Sequence, residues 1–159
     1  MVSVTRVAGC FGMLASVAAV LLAAPRDADA VNLNTSGTIC NPYNAGEAND
    51  IDYVTNGVRT GPSVGSARNV ICSVPRSPLA SPQGFYLDGT NQAGKSTSIT
   101  LYAHDFNGTF QTSQNVSSSA ATYDEYRALT PVGQWSYISA FVTLPANAGG
   151  TFLGVITLQ

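Results

Sequence analysis

Gly89-Thr90-Asn91-Gln92-Ala93-Gly94-Lys95-Ser96 satisfies the phosphate-loop pattern G-x-x-x-x-G-K-[ST] at every position. That chemistry needs a buried strand before the loop and, after it, a helix whose N-terminal amides cradle the phosphates. Here the loop leads into Thr97 to His104, an alternating β-branched run, so the letters are expected to form a hairpin loop. Gly61-Pro62-Ser63-Val64-Gly65 fits a nucleophile elbow, and Asp88 and His104 come later in the chain order of a hydrolase triad. The elbow demands a strand-to-helix turn, yet Ala67 to Val74 after it reads as strand and no helices are apparent to flank a sheet. His104 is the single histidine, and it alternates with Thr100 and Tyr102 onto the solvent side of its run. It is expected to be an exposed strand residue, and no catalytic residue is assigned.

Metal and carboxylate chemistry fare similarly. Glu47, Asn49, Asp50 and Asp52 cluster near Gly46 but lack the ordered spacing of a calcium loop, and are expected to be a solvated acidic loop. Asp124 and Glu125 would need a further carboxyl across a cleft to hydrolyse a glycoside. No metal site and no cofactor are expected. Asn34-Thr35-Ser36, Asn107-Gly108-Thr109 and Asn115-Val116-Ser117 fit the glycosylation triplet, which arises readily by chance in a chain this rich in Asn, Ser and Thr.

Two features point further. Cys40 and Cys72 form an even pair without the C-x-x-C spacing or histidine partners of a metal or redox site, so a disulfide is expected. The run Gln134 to Val142 places Trp135, Tyr137 and Phe141 on one side and Ile138, Ala140 and Val142 on the other. If the aliphatic side is core, the aromatics form an external strip of the kind on which sugar rings stack. If the strand is covered on both faces, the aromatics are core. Exposure of Trp135 separates the two.

The elements that must position these residues read as strands. Alternation recurs at Ile51 to Asn56, Asn69 to Val74, Gly84 to Asp88, Thr97 to His104, Thr109 to Gln114, Thr122 to Leu129, Gln134 to Leu144 and Thr151 to Leu158. Turn chemistry separates them at Asn56-Gly57, Asp88-Gly89, Asn107-Gly108, Pro131-Val132-Gly133 and Asn147 to Gly150. The expectation is an all-β, two-sheet antiparallel sandwich of about eight strands, with an open barrel as the alternative. The proline-rich stretch Val74 to Pro82 is expected to connect one sheet to the other, since proline cannot sit in a central strand. The formal net charge is −2 and the basic residues are scattered singly, which argues against a nucleic-acid partner.

Residues 1–30 read as an export signal. Arg6 is succeeded by an uncharged run from Val7 to Ala24, and Ala28-Asp29-Ala30 forms an A-x-A cleavage signature. Val7-Ala8-Gly9-Cys10 spells a lipoprotein box, but it precedes the apolar run instead of coming after it. An uncleaved anchor is the alternative, since about 18 apolar residues is the lower limit for a span. Cleavage would leave residues 31–159 as one secreted or periplasmic domain, with no membrane attachment.

Gly37-Thr38-Ile39-Cys40-Asn41-Pro42, Tyr53 with Asn56-Gly57, Val70 to Arg76, and late Tyr137 with Thr143-Leu144-Pro145 resemble a group of small uncharacterised secreted bacterial proteins with a disulfide-bonded β-sandwich domain. The resemblance spans nearly the whole chain beyond the signal. It implies a second cysteine pair at positions occupied here by Ile99 and Val142, an apolar pair expected to meet in the core. The group brings no activity with it. The functional expectation is a non-catalytic secreted domain of unspecified binding or surface role. The alternative is a carbohydrate-binding module using Trp135, Tyr137 and Phe141 on a polysaccharide, and a secreted hydrolase comes third.

Overall fold

Period-2 alternation becomes a two-sided strand wherever one face can be covered. The computed structural model, which describes residues 32–76, 83–133 and 135–158, obeys that rule. Residues 1–30, expected to be an export signal, and the end of the proline-rich stretch, residues 77–82, lie outside the described residues. Among the described residues eleven strands form: β1 (Leu33–Ser36), β2 (Asn41–Pro42), β3 (Ile51–Val54), β4 (Gly57–Thr60), β5 (Arg68–Val74), β6 (Gln83–Asn91), β7 (Thr97–His104), β8 (Phe110–Ser118), β9 (Thr122–Leu129), β10 (Tyr137–Leu144) and β11 (Gly150–Thr157). All eight expected runs are among them. The short strands β1, β2 and β4 are additional.

The strands make two antiparallel sheets, one ordered β3-β4-β11-β6-β9 with β1 also on β11, the other β2-β5-β10-β7-β8. The sheets do not close on each other, so the architecture is a sandwich and the barrel alternative does not hold. The inner faces meet in one core. The five-stranded sheet contributes Val70, Ile99, Leu101, Ile138, Ala140 and Val142, and the six-stranded sheet contributes Val58, Phe85, Leu87, Phe152 and Val155. Ile99 and Val142 stand directly opposite each other in the β7–β10 ladder, both buried. The expected apolar contact is therefore present. Cys40 and Cys72 are joined by a disulfide that fastens the segment before β2 to β5.

Two expected turns come out differently. Asp88-Gly89 lies inside β6, because β9 pairs with β6 straight through it, Asp88 against Asp124 and Gly89 against Tyr123. A Cβ on Gly89 would collide with the Tyr123 hydroxyl, so the glycine makes room for a ring instead of bending the chain. The phosphate-loop letters do not form a hairpin either. β6 belongs to the six-stranded sheet and β7 to the other, so residues 92–96 cross between sheets and lead into a strand. Buried polar side chains tie this corner. Asn91 Nδ2 donates to the carbonyls of Ser118 and Ala120, Thr97 Oγ1 donates to Asn91 Oδ1, and Thr60 Oγ1 donates to Pro145 O. Such groups must be satisfied internally once removed from water.

Candidate functional site

The triad-like residues do not converge. Ser63 lies in the connection after β4, Asp88 on the six-stranded sheet and His104 at the end of β7 on the other sheet. The acidic cluster is not a free solvated loop but is ion-paired: Asp50 lies 2.7 Å from Arg68, with Glu47 at 3.9 Å, and Asp52 lies 2.7 Å from Arg59. Among the described residues no group of three or more His, Cys, Asp or Glu is placed to hold a metal ion.

Asp124 has a carboxyl partner, although one without the geometry for glycoside hydrolysis. It hydrogen-bonds Asp88 directly from the adjacent strand on the outer face of the six-stranded sheet, whereas hydrolysis needs about 5 Å or more between the carboxyls. Burial, the hydrogen bond to Asp124 and the charge of Asp124 push the Asp88 carboxyl from 3.8 up to about 6. The folded chain thus holds a proton that the unfolded chain releases at lower pH. The pair's contribution to stability is fullest below about pH 4 and is lost as pH rises through about 6. Asp88→Asn is expected to raise the melting temperature at neutral pH and to flatten its fall across that window. Parallel melting curves for the two proteins against pH would refute the shift.

Aromatic residues gather on the outer face of the five-stranded sheet. β10 turns Ile138, Ala140, Val142 and Leu144 inward, which leaves Tyr137, Ser139, Phe141 and Thr143 on the outside. The ladder sets Tyr137 beside His104, and His104 beside Phe110 of β8. The Tyr137 and His104 rings stack at 5.6 Å with planes 17° apart, and Phe110 meets the imidazole edge-on at 6.0 Å. Tyr137 keeps 51% of its surface exposed and Phe110 56%. His104, expected to be an exposed strand residue, is half-buried by this stack, with its Nδ1 buried and without a hydrogen-bond partner. Next to the aromatic row runs a hydroxyl row, Ser73, Ser139, Tyr102 and Ser113. A groove of about 550 Å³ opens between the two, lined by Asn41, Ile71, Ser73, His104, Tyr137 and Ser139.

Of the three aromatics expected on one strand face, Tyr137 and Phe141 are there. Phe141 is half-buried beneath Tyr43, which meets it edge-on at 5.0 Å. Trp135 lies before the strand, because the turn closed by Ser136 N donating to Gly133 O delays β10 to Tyr137. It is nevertheless 69% exposed, which excludes the reading in which it is core. His104, Phe110 and Tyr43 are companions that the sequence does not announce. Alternation puts His104 on the outer face, but only the strand register shows which ring it meets.

No family model matches the chain, and no curated protein matches it. Among solved structures, a xylan-binding module, CBM15, is similar with a TM-score of 0.53 and 9% identity, covering 81% of this chain and 96% of that one. A family 35 carbohydrate binding module from Clostridium thermocellum gives 0.49 at 12% identity, covering 80% and 97%. TmCBM61, in complex with β-1,4-galactotriose, gives 0.43 at 12% identity, covering 82% and 88%. The likeness to CBM15 is one of fold.

Proposed function

We propose that this chain is an exported, non-catalytic carbohydrate-binding domain that stacks sugar rings on the outer face of its five-stranded sheet. Residues 1–30 are its cleaved signal, residues 31–159 its single domain, and the periplasm or cell exterior of a bacterium its place of work. The observation that carries the reading is the exposed row Tyr137, His104 and Phe110 beside a row of hydroxyls. A sugar ring offers both an apolar C–H face and a rim of hydroxyl groups, and these two rows complement the two parts. Large exposed aromatic side chains in a cluster are otherwise costly to keep in water. Trp135 and Phe141 extend the same surface. The fold is in keeping with this, since a xylan-binding module also uses it, though a fold by itself assigns no function. The disulfide fits export into an oxidising compartment, and among the described residues no helix is long and apolar enough to cross a membrane.

The test is depletion from solution by a panel of insoluble polysaccharides: cellulose, xylan, galactan and mixed β-glucan. At least one should retain the wild-type protein, and Tyr137→Ala should weaken that retention about tenfold, the equivalent of about 1.4 kcal/mol of stacking. Failure of every polysaccharide to retain the protein would refute the proposal.

A further inference from the structure

A second aromatic platform adjoins the first. Phe106, on the turn between β7 and β8, and Trp135, on the turn before β10, line an open cleft of about 510 Å³ and are the most exposed large apolar side chains among the described residues, at 71% and 69%. Both turns are held firmly. Asp105 Oδ1 accepts hydrogen bonds from the amides of Asn107 at 2.9 Å and Thr109 at 2.8 Å, and Gly108 reverses the chain with φ +84°. On the other side, Gln111 Oε1 accepts from Gly133 N and from Ser136 Oγ, and Arg76 donates to the carbonyls of Gly133 and Ser136. Rings fixed in water by turns pinned this way lose little freedom when a ligand arrives.

Resting on the carbohydrate-binding reading, we infer that the ligand is an uncharged polysaccharide chain held along its length, one sugar ring on Tyr137 and a neighbouring one in the Trp135–Phe106 cleft. Trp135 and Tyr137 are two residues apart, so their Cα atoms lie within about 7 Å and one oligosaccharide can reach both. The groove at Tyr137 is lined by no Asp, Glu, Lys or Arg, and the cleft at Trp135 adds only Asp105, whose Oδ1 its own turn amides occupy. The nearby Arg76 guanidinium is directed onto main-chain carbonyls. Among the described residues this lining offers no Lys or Arg to a uronate or sulfate group, and it sets Asp105 beside the cleft. Both depressions are open at the surface, so a chain can enter and leave without presenting an end.

Trp135 is the only tryptophan, so its emission reports occupancy of the second platform. Wild-type protein is titrated with soluble xylan, β-glucan and galactan, with their mono-, di- and longer oligosaccharides, and with polygalacturonate. A neutral polymer is expected to shift Trp135 emission and long oligosaccharides to bind about tenfold or more tighter than disaccharides. Trp135→Ala should abolish that gain with length, and polygalacturonate should not bind. Neutral polymer binding that is sensitive to Tyr137→Ala, yet leaves Trp135 emission unchanged and tolerates Trp135→Ala, would overturn this inference while the proposed function stood. Equal affinity for polygalacturonate would overturn the assignment to uncharged chains. If no glycan binds at all, the proposed function fails first.

Discussion

Replacing Cys40 and Cys72 together by alanine is expected to lower the unfolding free energy by about 3 to 4 kcal/mol, a large share of the margin of an ordinary domain. The bond spans 32 residues of sequence, and the loop it closes includes the β3–β4 hairpin. On its N-terminal side it secures the short β2 segment to the five-stranded sheet. β2 pairs with β5 through only Asn41 and Pro42, and the Tyr53 hydroxyl donates to Cys40 O at 2.9 Å. The chain-entropy argument places most of the loss in the unfolded state, so the native structure should change little while the slope of the urea transition steepens as the uncrosslinked denatured chain exposes more surface. Urea unfolding of the double variant beside the wild type measures the loss. Titration of exported wild-type protein under denaturing, non-reducing conditions should find no thiol from this pair. A loss below about 1 kcal/mol would mean that the disulfide constrains nothing the ladders do not already hold.

The long strands are legible in the sequence because each carries enough alternating residues to state its own face. β7 shows this plainly, with Thr97, Ile99, Leu101 and Ala103 buried and the residues between them turned outward. β1, β2 and β4 are not legible because each carries too few alternating residues to state a face, and Leu33-Asn34-Thr35-Ser36 has no apolar alternation to find. They exist because β11 is long enough to offer one edge to two partners, β4 along Thr151 and Phe152 and β1 along Gly154 to Thr157, while β2 is held beside β5 next to the disulfide. A strand defined by its neighbour leaves little trace in its own sequence. Turn chemistry has a similar limit. Gly94 does reverse the chain, with φ +73°, but a turn residue does not state which sheet the chain enters next.

The same division runs through the candidate site. Tyr137 and Phe141 can be placed on an outer face from β10 alone, given that Ile138, Ala140 and Val142 are core. Trp135 cannot be placed correctly that way, because the alternating pattern runs on through residues that the Gly133–Ser136 turn removes from the strand. Phe106 sits in a turn, where an aromatic residue has no period to belong to, and Phe110 is the first residue of β8. Their relation to Trp135 and Tyr137 depends on the β7–β8 and β7–β10 ladders, which are contacts between distant parts of the chain.

Ile99→Ala is expected to cost about 2 to 5 kcal/mol, and Val142→Ala somewhat less because fewer atoms are removed. Both side chains are buried and directly opposite in the β7–β10 ladder, where cross-strand Cβ atoms approach within about 5.5 Å. The two truncations should therefore couple, the double variant departing from additivity by about 0.5 kcal/mol or more. The consequence reaches the binding face through register. Val142 opposite Ile99 and Tyr137 opposite His104 belong to one continuous ladder, and a slip of one residue would exchange the inner and outer faces of β10. The buried Ile99–Val142 pair thus belongs to the ladder whose register sets the aromatic row. Equilibrium urea unfolding of the two single variants and the double variant measures both quantities. A cost below about 1 kcal/mol for Ile99→Ala would place Ile99 outside the core. The alternation that turns Tyr137 and Phe141 toward solvent would then lose its foundation, and the aromatic face with it.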